Sequence, residues 1–303
     1  MISMLTINYV RHTAIDQLRA AGQQTPELDA TVLLAYVLGT DRAWIYAHSD
    51  APLTAEQAAR YQELIARRAQ GEPIAYLTGQ REFMGLPFTV SPAVLIPRPE
   101  TELLVEEALI QARMRLEQGT EPVVADIGTG SGAIAIALAV HEPRLPLIYA
   151  TDISAEALSV AACNAYDLGV TDRVRFLQGH LLAPLPEPVD LLLANLPYIS
   201  VNEAQVLAPD VRNYEPSVAL FGPDDGLGLI RQLLKEAPPY LRAGAVILLE
   251  FGYNQRTALE AFARQCFPYA TIRVIADYAG WDRLIEITLP EAIHTAWRIS
   301  GSP

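Results

Sequence analysis

The chain has 303 residues, 51% of them hydrophobic and 19% charged, with a formal net charge of −13. This length is typical of two domains, because a single hydrophobic core seldom grows beyond about 250–300 residues. The acidic balance argues against a protein that grips long stretches of phosphate backbone, and no run reaches the roughly 20 apolar residues of a membrane span. Two cysteines cannot build a disulfide framework. With no cleavable signal pattern either, the sequence predicts a cytoplasmic protein.

The N-terminal part, residues 1–81, is predicted to form a helical domain. One helix is expected to begin at Thr25, Pro26 and Glu27 and to continue through the apolar run at residues 28–38, because a proline in its first turn and a glycine after its end are typical helix boundaries. Thr54 and Gln57 fit a capping box that begins a second helix. The next segment, residues 82–98, has the pattern of a short hairpin followed by prolines that keep the backbone extended. We expect this segment to link two domains.

Strands and helices alternate over residues 99–290, and the tail at residues 291–303 carries no structural signal. Strands are predicted at residues 122–127, 147–151, 174–177, 189–194 and 245–251, with helices beginning at Glu100 and spanning 133–140, 154–168 and 227–241. Near-continuous apolar strands separated by amphipathic helices indicate a parallel sheet covered on both faces. Two last strands, 271–276 and 284–289, share a short turn and should be antiparallel. The predicted fold class is therefore α/β, with a Rossmann-like sheet beside a small helical domain.

A glycine-rich loop follows the first strand of this sheet. It comprises Asp126, Gly128, Thr129, Gly130, Ser131 and Gly132. Glycines at a strand–helix junction let the backbone turn sharply and let a ligand approach the N–H groups of the helix N-terminus. Asp152 ends the second strand, where a carboxylate can accept both ribose hydroxyls of an adenosine cofactor. With Ala133 the loop also fits the dinucleotide pattern, so S-adenosylmethionine and NAD are both candidates, and a purely structural turn is the third interpretation.

The fourth strand ends in the segment Asn195, Leu196, Pro197 and Tyr198. An enzyme that methylates a planar amide nitrogen needs acceptors for both N–H bonds, because the amide lone pair is delocalised into the carbonyl. The Asn195 side chain and the carbonyl of Leu196 are predicted to be these two acceptors, acting by positioning and electrostatics. Tyr198 is expected to form an aromatic wall. The alternative is an ordinary turn, since asparagine and proline are common turn residues.

Several of these motifs resemble the HemK/PrmC family of peptide-chain release factor glutamine methyltransferases. The matching segments are residues 97–102, 126–136, 152–154, 195–199, 214–216 and 224–227. Together with the helical domain and the hairpin, the resemblance covers nearly the whole chain. The Pro-Arg-Pro-Glu-Thr-Glu run at residues 97–102 is a more specific signal than the glycine loop.

The resemblance implies a class I methyltransferase sheet and N5-methylation of the glutamine in the Gly-Gly-Gln motif of class 1 release factors. S-adenosyl-L-methionine would be the cofactor and S-adenosyl-L-homocysteine the product. By position, Asp126, residues 128–132 and Asp152 would bind the cofactor. Asn195 would touch both cofactor and substrate, and residues 195–198 would hold the glutamine. The helical domain would dock the release factor, and a monomer is expected, with no direct nucleic-acid or membrane partner.

Two positions depart from the family pattern. Leu196 stands where the family usually has proline, which keeps the backbone carbonyl but loses the fixed φ of proline. We expect Pro197 to hold the turn and the chemistry to persist. His180 stands where the family often has an acidic residue near the adenine; it is predicted to contact the adenine amino group or to be a plain loop histidine. Leu181 is expected to pack on the adenine.

Neither the other histidines nor the two cysteines have metal-ligand spacing, so no metal site is predicted. Four functional alternatives stay open. A ribosomal-protein glutamine methyltransferase would share the acceptor motif. A nucleic-acid adenine N6-methyltransferase would need a basic groove that the composition does not favour. An NAD-dependent oxidoreductase would use the same loop and Asp152, and Leu196 motivates a binding module without activity.

Overall fold

The computed structural model describes residues 5–223 and 225–291. The chain divides into two compact units, one formed by the described part of Met1–Gln80 with Leu207–Tyr214, the other by Arg81–Val206 with the described residues from Glu215 onward. The sequence places residues 207–214 in the second domain, and the structure differs here. The Tyr214 hydroxyl donates a hydrogen bond to the Gln70 carbonyl oxygen at 3.1 Å. This long-range contact has no signal in the local pattern.

The first unit is helical. Its helices are Ile7–Ala20, Pro26–Leu38, Arg42–Ala47, Ala55–Ala69, Ile74–Thr78 and Pro209–Tyr214. The capping box is present, because the Thr54 hydroxyl accepts from the Gln57 amide at 3.2 Å and the Gln57 side chain accepts from the Thr54 amide at 2.9 Å. The apolar faces meet in one cluster that includes Leu18, Leu33 and Ile65, which supplies most of the stability of such short helices.

A two-stranded hairpin opens the second unit. Strands β1 (Gln80–Phe83) and β2 (Leu86–Thr89) are joined at Met84 and Gly85, which have φ of +52° and +71°. Positive φ at both central residues is the geometry that matches the twist of a tight hairpin. Phe83 and Phe88 from the two strands are buried and pack edge to face, with ring centroids 6.0 Å apart.

The second unit is built on a seven-stranded sheet in the order β5-β4-β3-β6-β7-β9-β8. Its strands are β3 (Val124–Ile127), β4 (Ile148–Asp152), β5 (Val174–Gln178), β6 (Val189–Ala194), β7 (Leu241–Glu250), β8 (Thr271–Ala276) and β9 (Asp282–Thr288). Strands β3 to β7 are parallel, and β9 runs antiparallel to both neighbours. The predicted fold class is confirmed, including the antiparallel last strand.

Helices cover the two faces of this sheet. They are Glu102–Glu117, Ala133–His141, Ala155–Asp167, Ser217–Leu220, Gly228–Glu236 and Arg256–Cys266, with short 3₁₀ turns at Pro99–Thr101, Thr171–Arg173, Val201–Val206 and Pro238–Tyr240. The sequence predicts one helix over 227–241. The α-helix ends at Glu236 instead, because two successive prolines remove backbone donors and tighten the chain into a 3₁₀ turn. The helix Arg256–Cys266 was not predicted.

Side chains of successive strand residues enter opposite clusters of the core. Val124, Leu191 and Val246 belong to one apolar cluster, whereas Leu192 and Ile247 belong to the other. Burial on both faces explains the near-continuous apolar runs that predicted a parallel sheet. No helix in the part of the chain that the structure describes is long and apolar enough to cross a membrane.

Candidate active site

The register of the central strands brings three predicted sites to one edge of the sheet. Ile127 at the end of β3 pairs with Thr151 of β4 on one side and with Ala194 of β6 on the other. Gly128, Asp152 and Asn195 are the next residues along their strands. Because parallel strands end at the same edge, the glycine loop, the carboxylate and the Asn195 segment meet there, where α/β sheets bind their ligands.

A cavity of about 340 Å³ lies at this edge, within the range of small-molecule sites. Most of the predicted site residues line it: Gly128, Thr129, Gly130, Ser131, Asp152, His180, Leu181, Asn195, Leu196 and Pro197. Asp126, Gly132 and Tyr198 do not. Thr101, from the run at residues 97–102, also lines the cavity, although no role was predicted for it.

The glycine loop is held by backbone hydrogen bonds to the neighbouring strand. The amides of Gly128 and Thr129 both donate to the Thr151 carbonyl, at 2.8 and 2.9 Å. Gly128, Gly130 and Gly132 have φ of +75°, +57° and +81°, a region that side chains disfavour. A Cβ on Gly132 would lie 2.6 Å from Ile136 Cδ1, so this glycine permits close packing rather than facing the cavity.

Asp152 is tied to the same loop. Its Oδ2 accepts from the Gly130 amide at 2.9 Å and its Oδ1 accepts from the Ser154 amide at 2.9 Å. Each carboxylate oxygen has a second lone pair, so Asp152 can still accept hydrogen bonds from the hydroxyl groups of a ligand. The cavity is open beside Gly130, because a Cβ added there would meet no atom within 4 Å. A carboxylate acceptor next to apolar walls suits an adenosine group.

Asp126 lies beneath the loop and is fully buried. Its Oδ2 accepts from the Thr129 hydroxyl at 2.6 Å, while Oδ1 has no partner that meets hydrogen-bond geometry among the described residues. Burial raises the pKa of this carboxyl to about 7, an effect that the Thr129 hydrogen bond and the nearby Ala135 amide offset only in part.

His180 and Leu181 form another part of the cavity wall. Leu181 has φ of +46° and is buried, and its carbonyl accepts from the Thr151 hydroxyl at 3.1 Å. His180 is exposed at the rim, and its ring makes no hydrogen bond with the described residues. The loop therefore presents one apolar and one polar side chain to the cavity.

The Asn195 amide is oriented by Thr101. Its Nδ2 donates to the Thr101 hydroxyl oxygen at 2.9 Å, and that hydroxyl donates to Glu250 Oε2 at 2.7 Å. Neither Asn195 Oδ1 nor the Leu196 carbonyl has a hydrogen-bond partner among the described residues. Both oxygens are therefore available to accept from a ligand in the cavity.

Leu196 packs directly against the glycine loop. Its side chain is buried, and a Cβ on Gly128 would lie 2.9 Å from Leu196 Cδ2. The backbone beyond it is equally close to other glycines. A Cβ on Gly222 would lie 2.5 Å from the Pro197 carbonyl oxygen, and one on Gly226 would overlap the Tyr198 carbonyl oxygen. These approaches explain the glycine in the predicted motif at residues 224–227, whose Asp224 lies outside the described residues.

Tyr198, predicted as an aromatic wall, is not among the residues that line the cavity. Its hydroxyl donates to Glu250 Oε1 at 3.0 Å, and its carbonyl accepts from Gln255 Nε2 at 2.8 Å. Burial raises the pKa of this phenol, and the neighbouring Glu250 carboxylate adds to the shift. The side chain therefore anchors the end of the segment, because its polar group finds a buried partner away from the cavity.

Two sets of contacts that were not predicted from the sequence join distant segments. Arg98 Nη2 contacts Glu215 Oε1 at 2.5 Å, and Glu215 Oε2 accepts from the Ile96 amide at 3.1 Å. Asn164 accepts from the Thr89 amide at 2.7 Å and donates to the Ser131 carbonyl at 2.9 Å, which ties the hairpin to the glycine loop. Arg98 and Glu215 belong to the predicted motifs at residues 97–102 and 214–216, but neither motif indicates that they pair, and Asn164 belongs to no predicted motif.

No group of three or more potential metal ligands occurs among the residues that the structure describes. Two family models match the chain, the PrmC N-terminal domain over residues 10–79 and the methyltransferase small domain over residues 101–209.

Curated relatives match over most of their length. The release factor glutamine methyltransferase of Moorella thermoacetica is 44% identical over 280 residues, covering 92% of this chain and 97% of that protein. The protein of the same name from Xylella fastidiosa is 44% identical over 268 residues, covering 88% and 94%. A solved methyltransferase from Pyrococcus furiosus shares the fold at 17% identity, with a TM-score of 0.51 over 79% of this chain and all of its own. The chain belongs to the release factor glutamine methyltransferase family.

Proposed function

We propose that this protein transfers a methyl group from S-adenosyl-L-methionine to the side-chain amide nitrogen of the glutamine in the Gly-Gly-Gln motif of class 1 release factors. One observation carries the proposal: Asn195 and Leu196 line the same cavity as the glycine loop and Asp152. A cofactor cradle and a pair of amide acceptors are therefore adjacent. Family membership selects S-adenosylmethionine over NAD, which the loop pattern alone left open.

The cofactor-binding roles follow the geometry. Asp152 would accept hydrogen bonds from the ribose hydroxyls, and the loop at residues 128–132 would hold the methionine end in the open space beside Gly130. Leu181 would pack on the adenine, with His180 at its edge. Asp126 and Gly132 would act from behind the loop, since neither lines the cavity. When bound, S-adenosylmethionine supplies an electrophilic methyl group and leaves S-adenosylhomocysteine as product.

The acceptor side prepares a weak nucleophile. Asn195 Oδ1 and the Leu196 carbonyl oxygen would each accept a hydrogen bond from one N–H group of the glutamine amide. This arrangement would turn the nitrogen lone pair toward the methyl group. Acceptors fixed in advance need no reorganisation during the reaction. The methylated nitrogen is strongly acidic, so its extra proton can pass to solvent without a dedicated base. Pro197 would keep the turn rigid through its fixed φ, and Tyr198 would anchor it.

The helical unit is proposed to dock the release factor, with residues 82–98 as linker and residues 99–290 as the catalytic domain. The enzyme would act in the cytoplasm as a monomer and without direct contact to nucleic acid. The net charge of −13 supports the last point and favours a basic protein surface as partner.

Labelling would test this function. The protein is incubated with methyl-labelled S-adenosylmethionine and a purified class 1 release factor, and the label is mapped by peptide mass spectrometry. We expect label on the Gly-Gly-Gln glutamine and none on a release factor with glutamate at that position. A ribosomal-protein extract serves as the competing substrate, and preferential label there would replace the proposed substrate. Absence of both label and cofactor binding by calorimetry would refute the methyltransferase assignment.

A further inference from the structure

We infer that Glu250 is a positioning residue which, through Thr101, fixes the Asn195 amide so that its oxygen rather than its nitrogen meets the substrate. The inference rests on the proposed function of Asn195. Glu250 is the last residue of β7 and only 2% exposed. It follows a run of apolar residues in the core, where a charged side chain is costly unless it is hydrogen-bonded.

Both carboxylate oxygens of Glu250 are used, and both lead to the same segment. Oε2 accepts from the Thr101 hydroxyl at 2.7 Å, and Oε1 accepts from the Tyr198 hydroxyl at 3.0 Å. Thr101 in turn contacts Asn195. One carboxylate thus holds the first residue of the acceptor segment indirectly and its last residue directly.

Counting protons gives the network its direction. A threonine hydroxyl has a single proton to donate, and here that proton is directed to the Glu250 carboxylate, which cannot donate in its ionised form. The Thr101 oxygen therefore acts only as an acceptor toward Asn195. Only the –NH₂ side of the Asn195 amide satisfies it, which leaves Oδ1 for the substrate.

Loss of the carboxylate would remove this direction. The Thr101 proton would then be free to bind Asn195 Oδ1, and the amide could rotate by 180° at little cost in shape. Its –NH₂ group would face the –NH₂ group of the substrate glutamine, so two donors would oppose each other. The substrate nitrogen would lose its acceptor and its orientation.

The surroundings of Glu250 act on the pKa of its carboxyl in opposite directions. Burial raises its pKa, while the hydrogen bonds from Thr101 and Tyr198 and the charge of Arg283 oppose that shift. Glu100 is the acidic neighbour that acts in the other direction. A neutral glutamine of the same shape would fill the space without the desolvation cost, but it would introduce a second donor.

The first test compares Glu250→Gln with Glu286→Gln. Glu286 is also a buried glutamate, on β9, and pairs with Arg273 at 2.9 Å outside the cavity. For Glu250→Gln we expect kcat on a release factor to fall about 10- to 100-fold, less than for loss of a direct contact. Its dissociation constant for S-adenosylhomocysteine by calorimetry should stay within about 2-fold of the wild type. Glu286→Gln should keep its kcat.

A second pair of variants separates orientation from folding. Thr101→Ser retains the hydroxyl and should keep most of the activity, whereas Thr101→Val has the same shape and should lose as much as Glu250→Gln. The double variant Glu250→Gln/Thr101→Val should lose no more than either single one, because both act through one network. This pair decides the matter if Glu250→Gln fails to fold.

If the wild type methylates the glutamine and Glu250→Gln has the same kcat, the positioning role of Glu250 is wrong, whereas the proposed function stands. Equal losses in Thr101→Ser and Thr101→Val would also contradict that role, as would additive losses in the double variant. A wild type that labels no glutamine would instead remove the proposed function, so the two failures are distinguishable.

Discussion

The two sides of the cavity are held in place in different ways. The glycine loop is positioned by backbone groups: amides at Gly128 and Thr129 bind the carbonyl of the adjacent strand, and three positive φ angles shape the turn. The acceptor segment is positioned by side chains far away in sequence, since Asn195 is 94 residues from Thr101. A short motif can therefore encode the backbone conformation of the first side, to which Asp152 and Asn164 add hydrogen bonds, whereas the second side works only inside the assembled fold.

Removing the Asn195 acceptor should have the largest effect on the acceptor side and almost none on the other. For Asn195→Ala we expect kcat to fall about 100- to 1000-fold, because one preorganised hydrogen-bonding group is lost from the transition state. Cofactor affinity by calorimetry should change by less than about 3-fold. Turnover near that of the wild type would show that Asn195 is not an acceptor. A parallel loss of cofactor affinity would break the separation between the two sides.

On the glycine-loop side, ionisation of the buried Asp126 carboxyl should lower the free energy of unfolding. Its folded pKa of about 7 lies above the ordinary 3.8, so the folded protein binds this proton more tightly than the unfolded chain. The free energy of unfolding should therefore fall as pH rises between these values, by up to about 4 kcal/mol at about 1.4 kcal/mol per unit. Asp126→Asn should lack this contribution.

Urea unfolding of the cofactor-free protein at pH 5 and pH 8 measures this effect. The stability difference between Asp126→Asn and the wild type should shift in favour of the variant at the higher pH. If that difference were the same at both values, the pKa of Asp126 would not be raised in the folded protein.

Asp152 should affect only cofactor binding. In Asp152→Asn the dissociation constant for S-adenosylmethionine should rise about 10- to 100-fold, as expected for loss of hydrogen bonds to a charged acceptor. At saturating cofactor kcat should change by less than about 3-fold, since the acceptor side is intact. Asp167→Asn, at an exposed position of the same unit, is the matched control. If kcat of Asp152→Asn at saturating cofactor fell as far as its cofactor affinity, the two sides of the cavity would be coupled.

Leu196→Pro should have the smallest effect on kcat. It changes the contact between the Leu196 side chain and Gly128, where the two sides of the cavity meet. The Leu196 amide makes no hydrogen bond among the described residues, so proline removes no backbone partner. It does remove side-chain packing against Gly128, and we expect kcat to fall by less than about 10-fold. A loss above about 100-fold in steady-state assays would show that the turn has been rebuilt around leucine.

Local patterns were sufficient to predict most elements of the sheet domain and eight of the predicted residues that line the cavity, whereas His180 and Leu181 were predicted only from the resemblance to the family. Apolar runs, capping residues and glycine turns depend on interactions within a few residues, so their signal lies in the chain itself. The predicted limits of β6 and β8 agree with the structure. The helix Arg256–Cys266 was missed, and the helix predicted to reach Leu241 ends earlier.

Asn195 and Tyr198 show where sequence stops being informative. That the segment containing them lies at a strand end was readable from the chain, and so was the presence of acceptor oxygens. The direction of each side chain was not, because it depends on Glu250, which is 149 residues from Thr101 and reaches it only through the strand order of the sheet. The chain by itself determined which groups are present at the site. The tertiary structure decided which way they point, since a buried hydrogen bond requires its partner to be brought there by the fold.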